Sequence, residues 1–180
     1  MGKDLAERFP AARHTFEAID EALGVLLSRL MWEGPEDELV LTHNTQPAIL
    51  AHSAAVFAVV RERLGTVAAG AGHSLGEYSA YVAAGSLSAP DAARLVRRRG
   101  ELMYEAGTSR PGAMSAVLGL DPVAVEAACA ESSGADGVAV AANLNAPDQV
   151  VISGDPAAVA RAGDGWRARG AKRVLPLKVS

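Results

Sequence analysis

Gly72-His73-Ser74-Leu75-Gly76 is the segment of this chain best suited to covalent chemistry. It matches G-x-S-x-G, the nucleophile elbow, in which a strand turns sharply into a helix and the serine is held in a strained conformation. The turn demands small neighbours, and both glycines are read as necessary to it. Ser74 would stand at a helix N-terminus, where free N–H groups and the helix dipole favour developing negative charge. The Leu75 N–H is the natural first oxyanion donor. A structural tight turn is the competing reading, because loops of small residues produce this pattern by chance. What favours a nucleophile is context: a short apolar run over 66–71 precedes the motif, and a helical pattern over 77–84 follows it. His73 can orient the elbow, but an adjacent residue is a poor base, which must reach the hydroxyl from across the site.

Arg99 is the second informative residue. On a helix over 89–106, Ala92, Leu95, Val96, Arg99, Leu102, Met103 and Ala106 share one face, so Arg99 is expected to interrupt a buried stripe, with Arg97 and Arg98 off it. A buried guanidinium needs a partner. That partner is either a protein carboxylate, making a structural ion pair, or a substrate carboxylate gripped by both arms of the fork; snorkelling to the surface is a third solution. Periodicity alone does not choose. Asn143 and Asn145, which flank Leu144 ahead of Pro147, fit turn chemistry through side-chain bonds to backbone. Gln46, opening a long helix, is a similar case. His14, His43 and His52 read as surface or core histidines, although His52, a turn or so after Gln46, keeps a possible place in a cleft.

The elements that must position these groups follow from punctuation and period. Short helices are expected over 3–8, 12–23 and 24–31, followed by Gly34-Pro35. Residues 42–45 offer N-caps for a helix over 46–64, and 66–71 suits a buried strand. After the helix over 89–106 the character changes at 107–112. Strands over 113–118, 138–144, 149–153 and 172–177, with helices over 122–131 and 155–169, give β-α-β-β-α-β, the ferredoxin-like split βαβ arrangement. The expected fold is thus an α/β core over 1–110 interrupted by a small α+β unit over 111–178.

Composition narrows the function classes. The chain has 180 residues, 49% of them hydrophobic and 21% charged, which excludes an intrinsically disordered protein. Only 4% are aromatic, so the core must be built from Ala, Val and Leu. A net charge of −4 argues against a nucleic-acid binder. No apolar run reaches membrane-span length and no signal-peptide pattern opens the chain, so the cytoplasm is the default. The single cysteine, Cys129, lies among alanines and reads as a small buried hydrophobe. No phosphate loop, dinucleotide fingerprint or metal-ligand set stands out.

Taken together, Thr45-Gln46-Pro47-Ala48, the run from Gly72 to Ala80, Arg99-Gly100 with Met103, Gly112-Ala113-Met114 and the run from Asn143 to Gly154 resemble the malonyl-CoA:acyl-carrier-protein transacylases of fatty-acid synthesis and the related acyltransferase domains of polyketide synthases. The resemblance implies a hydrolase-like α/β core with a parallel sheet and an inserted ferredoxin-like subdomain. It implies ping-pong transfer without a bound cofactor: Ser74 takes malonyl from malonyl-CoA and passes it to the phosphopantetheine thiol of acyl carrier protein. Arg99 falls at the arginine that pairs with the malonyl carboxylate, and Gln46, His73, Asn143 and Asn145 fall among residues around the substrate. The family's oxyanion glutamine loop would precede Met1, and its histidine would follow the segment 175–180. A fragment of impaired activity is therefore expected. A serine esterase using the same elbow, or a non-catalytic module binding acyl-CoA or carrier protein, are the alternatives.

Overall fold

The computed structural model describes residues 1–177, so Lys178, Val179 and Ser180, the end of the family-like segment and of the expected small domain, lie outside the described residues. The chain divides into two units, Met1–Glu105 and Ala106–Ser180.

Helices build the first unit: α1 (Lys3–Arg8), α2 (Pro10–Leu23), α3 (Leu27–Glu33), α4 (Glu36–Leu39), α5 (Thr42–Val60) with a 3-10 turn (Arg61–Arg63), α6 (Gly76–Ala83) and α7 (Ala89–Ser109), which extends past Glu105. In α2, Ala12, Phe16 and Ile19 recur at helical spacing and are all buried. Pro10 starts that helix with its φ already fixed, and Gly24 ends it in the left-handed region at φ 66°. Phe16, Ile19, Leu27, Leu50 and Val96 form the core, and alanines of α5 and α7 let the helices approach closely. No helix among the described residues is long and apolar enough to cross a membrane.

Three expectations need correction here. Residues 66–71 are exposed and form no strand. The named strands among the described residues all belong to one antiparallel sheet of the second unit, so this segment, and with it the expected parallel sheet, has no ladder partner for its backbone groups. The long helix begins at Thr42, so 42–45 lie inside it rather than capping it, and Pro47 is accommodated within its early turns, fully buried. Finally, the buried face of α7 is Ala92, Ala93, Val96 and Gly100, while Leu95, Leu102 and Met103 are each about half exposed. Gly100 sets that face. A Cβ there would fall 2.5 Å from His43 Cα and 2.9 Å from the Thr42 carbonyl oxygen, so only glycine lets α7 lie against the start of α5. Arg99 therefore flanks the packed line instead of breaking it.

The second unit contains β1 (Ala113–Leu118), α8 (Pro122–Ser132), β2 (Ala139–Ala146), β3 (Gln149–Gly154), α9 (Pro156–Ala168) and β4 (Arg173–Leu177). Its sheet has the order β2-β3-β1-β4 with every pairing antiparallel. Asp121 caps α8 by accepting the Ala124 N–H at 3.0 Å, with Pro122 at the first helical position. Val117, Val125, Val150, Ile152, Val159 and Trp166 make the core. Cys129 is free and buried within it, and that burial pushes its thiol pKa up.

Asp155 ties this unit's entry segment to its sheet. It accepts the Val138 N–H at 2.8 Å and the Arg110 guanidinium at 2.9 and 3.1 Å. The Val138 N–H first, and then Arg110, hold its carboxyl below the usual carboxylate range. A carboxylate with a depressed folded pKa adds stability above its unfolded pKa, and that contribution is lost as pH falls through the folded value. Asp155→Asn is expected to lower the melting temperature at neutral pH, with the gap to the parent closing in acid below the ordinary carboxylate pKa. Thermal melts across a pH series measure this; a gap independent of pH would remove the carboxylate from the account.

Candidate active site

Ser74 is the one non-glycine residue with positive φ among those described, at 52°. That left-handed geometry costs about 1–2 kcal/mol for an L-residue and persists only where neighbours enforce it. The enforcement is a set of short backbone bonds: Gly76 N–H to the His73 carbonyl at 2.8 Å, Tyr78 to Leu75 at 3.1 Å and Glu77 to Ser74 at 3.3 Å. They wind the chain directly from the elbow into α6. Among the described residues the Leu75 N–H has no acceptor, so it remains available as an oxyanion donor. Behind the elbow, Leu75, Tyr78 and Val82 pack on the core of the first unit.

The two glycines are not equivalent. A Cβ on Gly72 would overlap the Gly76 carbonyl and crowd the Glu77 nitrogen, whereas a Cβ on Gly76 meets nothing within 4 Å. The expectation that both are sterically required is thus corrected for Gly76: the chain folds back on residue 72, and residue 76 already faces open space. Gly72→Ala is expected to destabilise the chain by about 1–3 kcal/mol. Gly76→Ala, in the first turn of α6, should be neutral or stabilising by up to about 1 kcal/mol. Urea unfolding of both variants tests the asymmetry, and equal effects would refute it.

Arg99 reaches the elbow from α7. Its Nη2 donates to Ser74 Oγ at 2.8 Å, and its Nη1 donates to Gln46 Oε1 on α5. Ser74 is exposed, Arg99 half-buried and Gln46 buried. The neighbouring arginines are already committed. Arg97 pairs with Glu101 at 3.1 Å and donates to Asn44 Oδ1 at 2.5 Å, while Arg98 pairs with Glu101 at 3.2 Å and Glu105 at 3.6 Å. Hydrogen bonds from Arg97, then Arg98, hold the Glu101 carboxyl below its ordinary pKa. No carboxylate among the described residues pairs with Arg99. A structural ion pair is therefore not what holds Arg99 among the described residues.

Gln46 is more than helix-opening chemistry. Its Nε2 donates to Thr42 Oγ1 at 2.9 Å and lies 3.3 Å from Met103 Sδ. By sequence Thr42 reads only as a cap candidate. Its signal is the i, i+4 spacing to Gln46, legible once the helix is known to begin at 42. His73 is exposed beside Ser74. His43 makes an edge-to-face contact with Tyr104, ring centroids 5.3 Å apart, and His52 lies beside Gly2. Asn143 and Asn145 belong to the second unit. They sit in β2 at two register irregularities, not in the turn itself, with Asn143 opposite Val151. The turn falls at Pro147-Asp148.

An exposed serine in a strained turn into a helix, with a guanidinium on its hydroxyl that pairs with no carboxylate among the described residues, is a constellation for acyl chemistry. The family described as the acyl transferase domain matches residues 1–180, and the chain belongs to that family. Within it, the malonyl CoA-acyl carrier protein transacylase of Bacillus subtilis (strain 168) is 47% identical over 180 residues, covering 100% of this chain and 57% of that protein. An acyl carrier protein S-malonyltransferase from Vibrio cholerae, solved by crystallography, superposes with a TM-score of 0.92 at 44% identity, over 100% of this chain and 59% of that one. A malonyl-transacylase solved in complex with its type II PKS acyl-carrier protein gives a TM-score of 0.91 at 46% identity, over 100% and 58%. This chain thus spans less than three fifths of the length of the relatives it matches.

Proposed function

We propose that this chain carries the nucleophile and the acyl-recognition site of a malonyl-CoA:acyl-carrier-protein transacylase. The observation that carries this is the Arg99 guanidinium, bound to Ser74 Oγ and Gln46 and to no carboxylate among the described residues. A malonyl group esterified to Ser74 has its free carboxylate three bonds beyond Oγ, within the sphere of that cation. An acetyl group has no carboxylate and leaves the guanidinium with neutral partners alone.

The reaction would run in two displacements. Ser74 Oγ attacks the thioester carbonyl of malonyl-CoA; the O–C bond forms, the C–S bond breaks, and the serine proton ends on the departing coenzyme A sulfur. The Leu75 N–H would donate to the oxyanion that forms in between. The phosphopantetheine thiol of acyl carrier protein then attacks the malonyl ester and returns the proton to Ser74. Both acyl donor and acceptor are substrates, so no resident cofactor is part of the scheme, and we read the reaction as cytoplasmic. Asn143 and Asn145 are proposed as substrate-side groups by family likeness.

We further read the first unit as part of a hydrolase-like core in which 66–71 would take a strand's place beside neighbouring strands. The second unit reads as a ferredoxin-like subdomain, supported by its β-α-β-β-α-β order and β2-β3-β1-β4 sheet. Intact-protein mass spectrometry after incubation with malonyl-CoA tests the function. One malonyl group on Ser74, transferable to carrier protein, is expected. Hydrolysis of neutral esters with no malonyl adduct would favour an esterase instead.

A further inference from the structure

We propose that Thr42 is a positioning residue for dicarboxylate selectivity: its hydroxyl, together with the Met103 thioether, holds the Gln46 amide in the single orientation that turns a carbonyl toward Arg99. This rests on the role given above to Arg99. A guanidinium has only donors, so the Gln46 atom facing Nη1 must be the carbonyl oxygen, and a flipped amide would set N–H against N–H. The flip is opposed from the far side. There Nε2 has two acceptors, Thr42 Oγ1 at 2.9 Å and, more weakly, Met103 Sδ at 3.3 Å. Gln46 is only 6% exposed, so water is poorly placed to substitute for either.

The lock draws on both helices that frame the arginine. Thr42 lies one turn before Gln46 on α5, and Met103 one turn after Arg99 on α7. Gln46 and Arg99 are thereby fixed between two anchors, and Gly100 holds the same two helices at close range. With Nη1 occupied by the amide carbonyl, Nη2 is the arm left toward Ser74 and toward an incoming carboxylate. Among the described residues Thr42 makes no hydrogen bond to Ser74 or Arg99. Its influence on selectivity would be transmitted through the amide alone.

The test is calorimetric titration of the chain and its variants with malonyl-CoA and with acetyl-CoA. The parent should prefer malonyl-CoA by about tenfold or more, as expected of a charge-assisted hydrogen bond from the free arm. Thr42→Val, which keeps the shape and removes the hydroxyl, should cut that preference by about three- to tenfold through malonyl-CoA alone. Thr42→Ser, which restores the hydroxyl, should return it to within about twofold of the parent. Met103→Leu removes the weaker acceptor and should act in the same direction by less; it decides the matter where Thr42→Val does not fold. A parent without preference would overturn the role of Arg99 itself. A preference that survives Thr42→Val, or affinities for both thioesters that fall together, would overturn the amide lock and leave the Arg99 clamp standing.

Discussion

Ser74→Ala is expected to abolish the malonyl adduct that malonyl-CoA leaves on this chain, with a loss of at least about 10³-fold in loading rate. The substitution removes the hydroxyl oxygen that would carry the acyl group, and it does so with little disturbance elsewhere. Ser74 is exposed, its side chain fills no core position, and the bonds that shape the elbow run through the backbone carbonyls of His73, Ser74 and Leu75. Alanine pays the same left-handed penalty at φ 52°, so the turn has no cheaper conformation to fall into. Arg99 loses the acceptor of Nη2, but on a half-buried side chain water can take its place. The variant should therefore fold with a melting temperature close to the parent's while losing the adduct. Ser74→Cys should retain loading as a thioester, because the thiol occupies the same position beside the Leu75 N–H. An adduct persisting in Ser74→Ala, mapped by peptide fragmentation to another residue, would move the nucleophile elsewhere.

The elbow and the second unit were legible because each is governed by local rules. Positive φ at residue 74 belongs to the sharp turn into α6, and the expected strand over 113–118 matches β1 residue for residue, its boundaries set by Gly112 and Gly119 on either side. The second unit builds its own sheet, so its alternation and turn signals describe contacts made within the same stretch of chain. The failures lie where partners are remote in sequence. Residues 66–71 have the composition of a buried strand, but composition does not supply a neighbour to pair with. The helical period of large apolar residues misplaces the face of α7, because a glycine at position 100 fixes the contact line. The same glycine explains why Arg99 is half-buried rather than buried. Its partner Gln46 lies 53 residues away, a separation that no helical period reports.

Arg99→Ala should separate malonyl from acetyl recognition more than any other single change. The guanidinium is held at two points, by Gln46 on one arm and Ser74 Oγ on the other, and among the described residues no carboxylate competes for it. Partial exposure moderates the pair it would make with a malonyl carboxylate, yet a charge-assisted bond from the free arm is worth about 1.5–3 kcal/mol, or about 10- to 150-fold in discrimination. The variant should lose that factor in malonyl-CoA loading while acetyl-CoA loading stays level or rises, since the cation contributes nothing to a neutral acyl group and its desolvation opposes one. Arg99→Lys should recover only part. An ammonium restores the charge, but it lacks the planar fork that serves Gln46 and a carboxylate at once. Arg97→Ala makes the matched control, because that arginine is already paired with Glu101 and Asn44 and should leave the malonyl-to-acetyl ratio unchanged. Competition between the two thioesters, read as the ratio of adducts on Ser74, measures all three variants in one format. A ratio unaltered by Arg99→Ala would mean that selectivity resides outside this arginine, and the elbow would then serve acyl groups without regard to their charge.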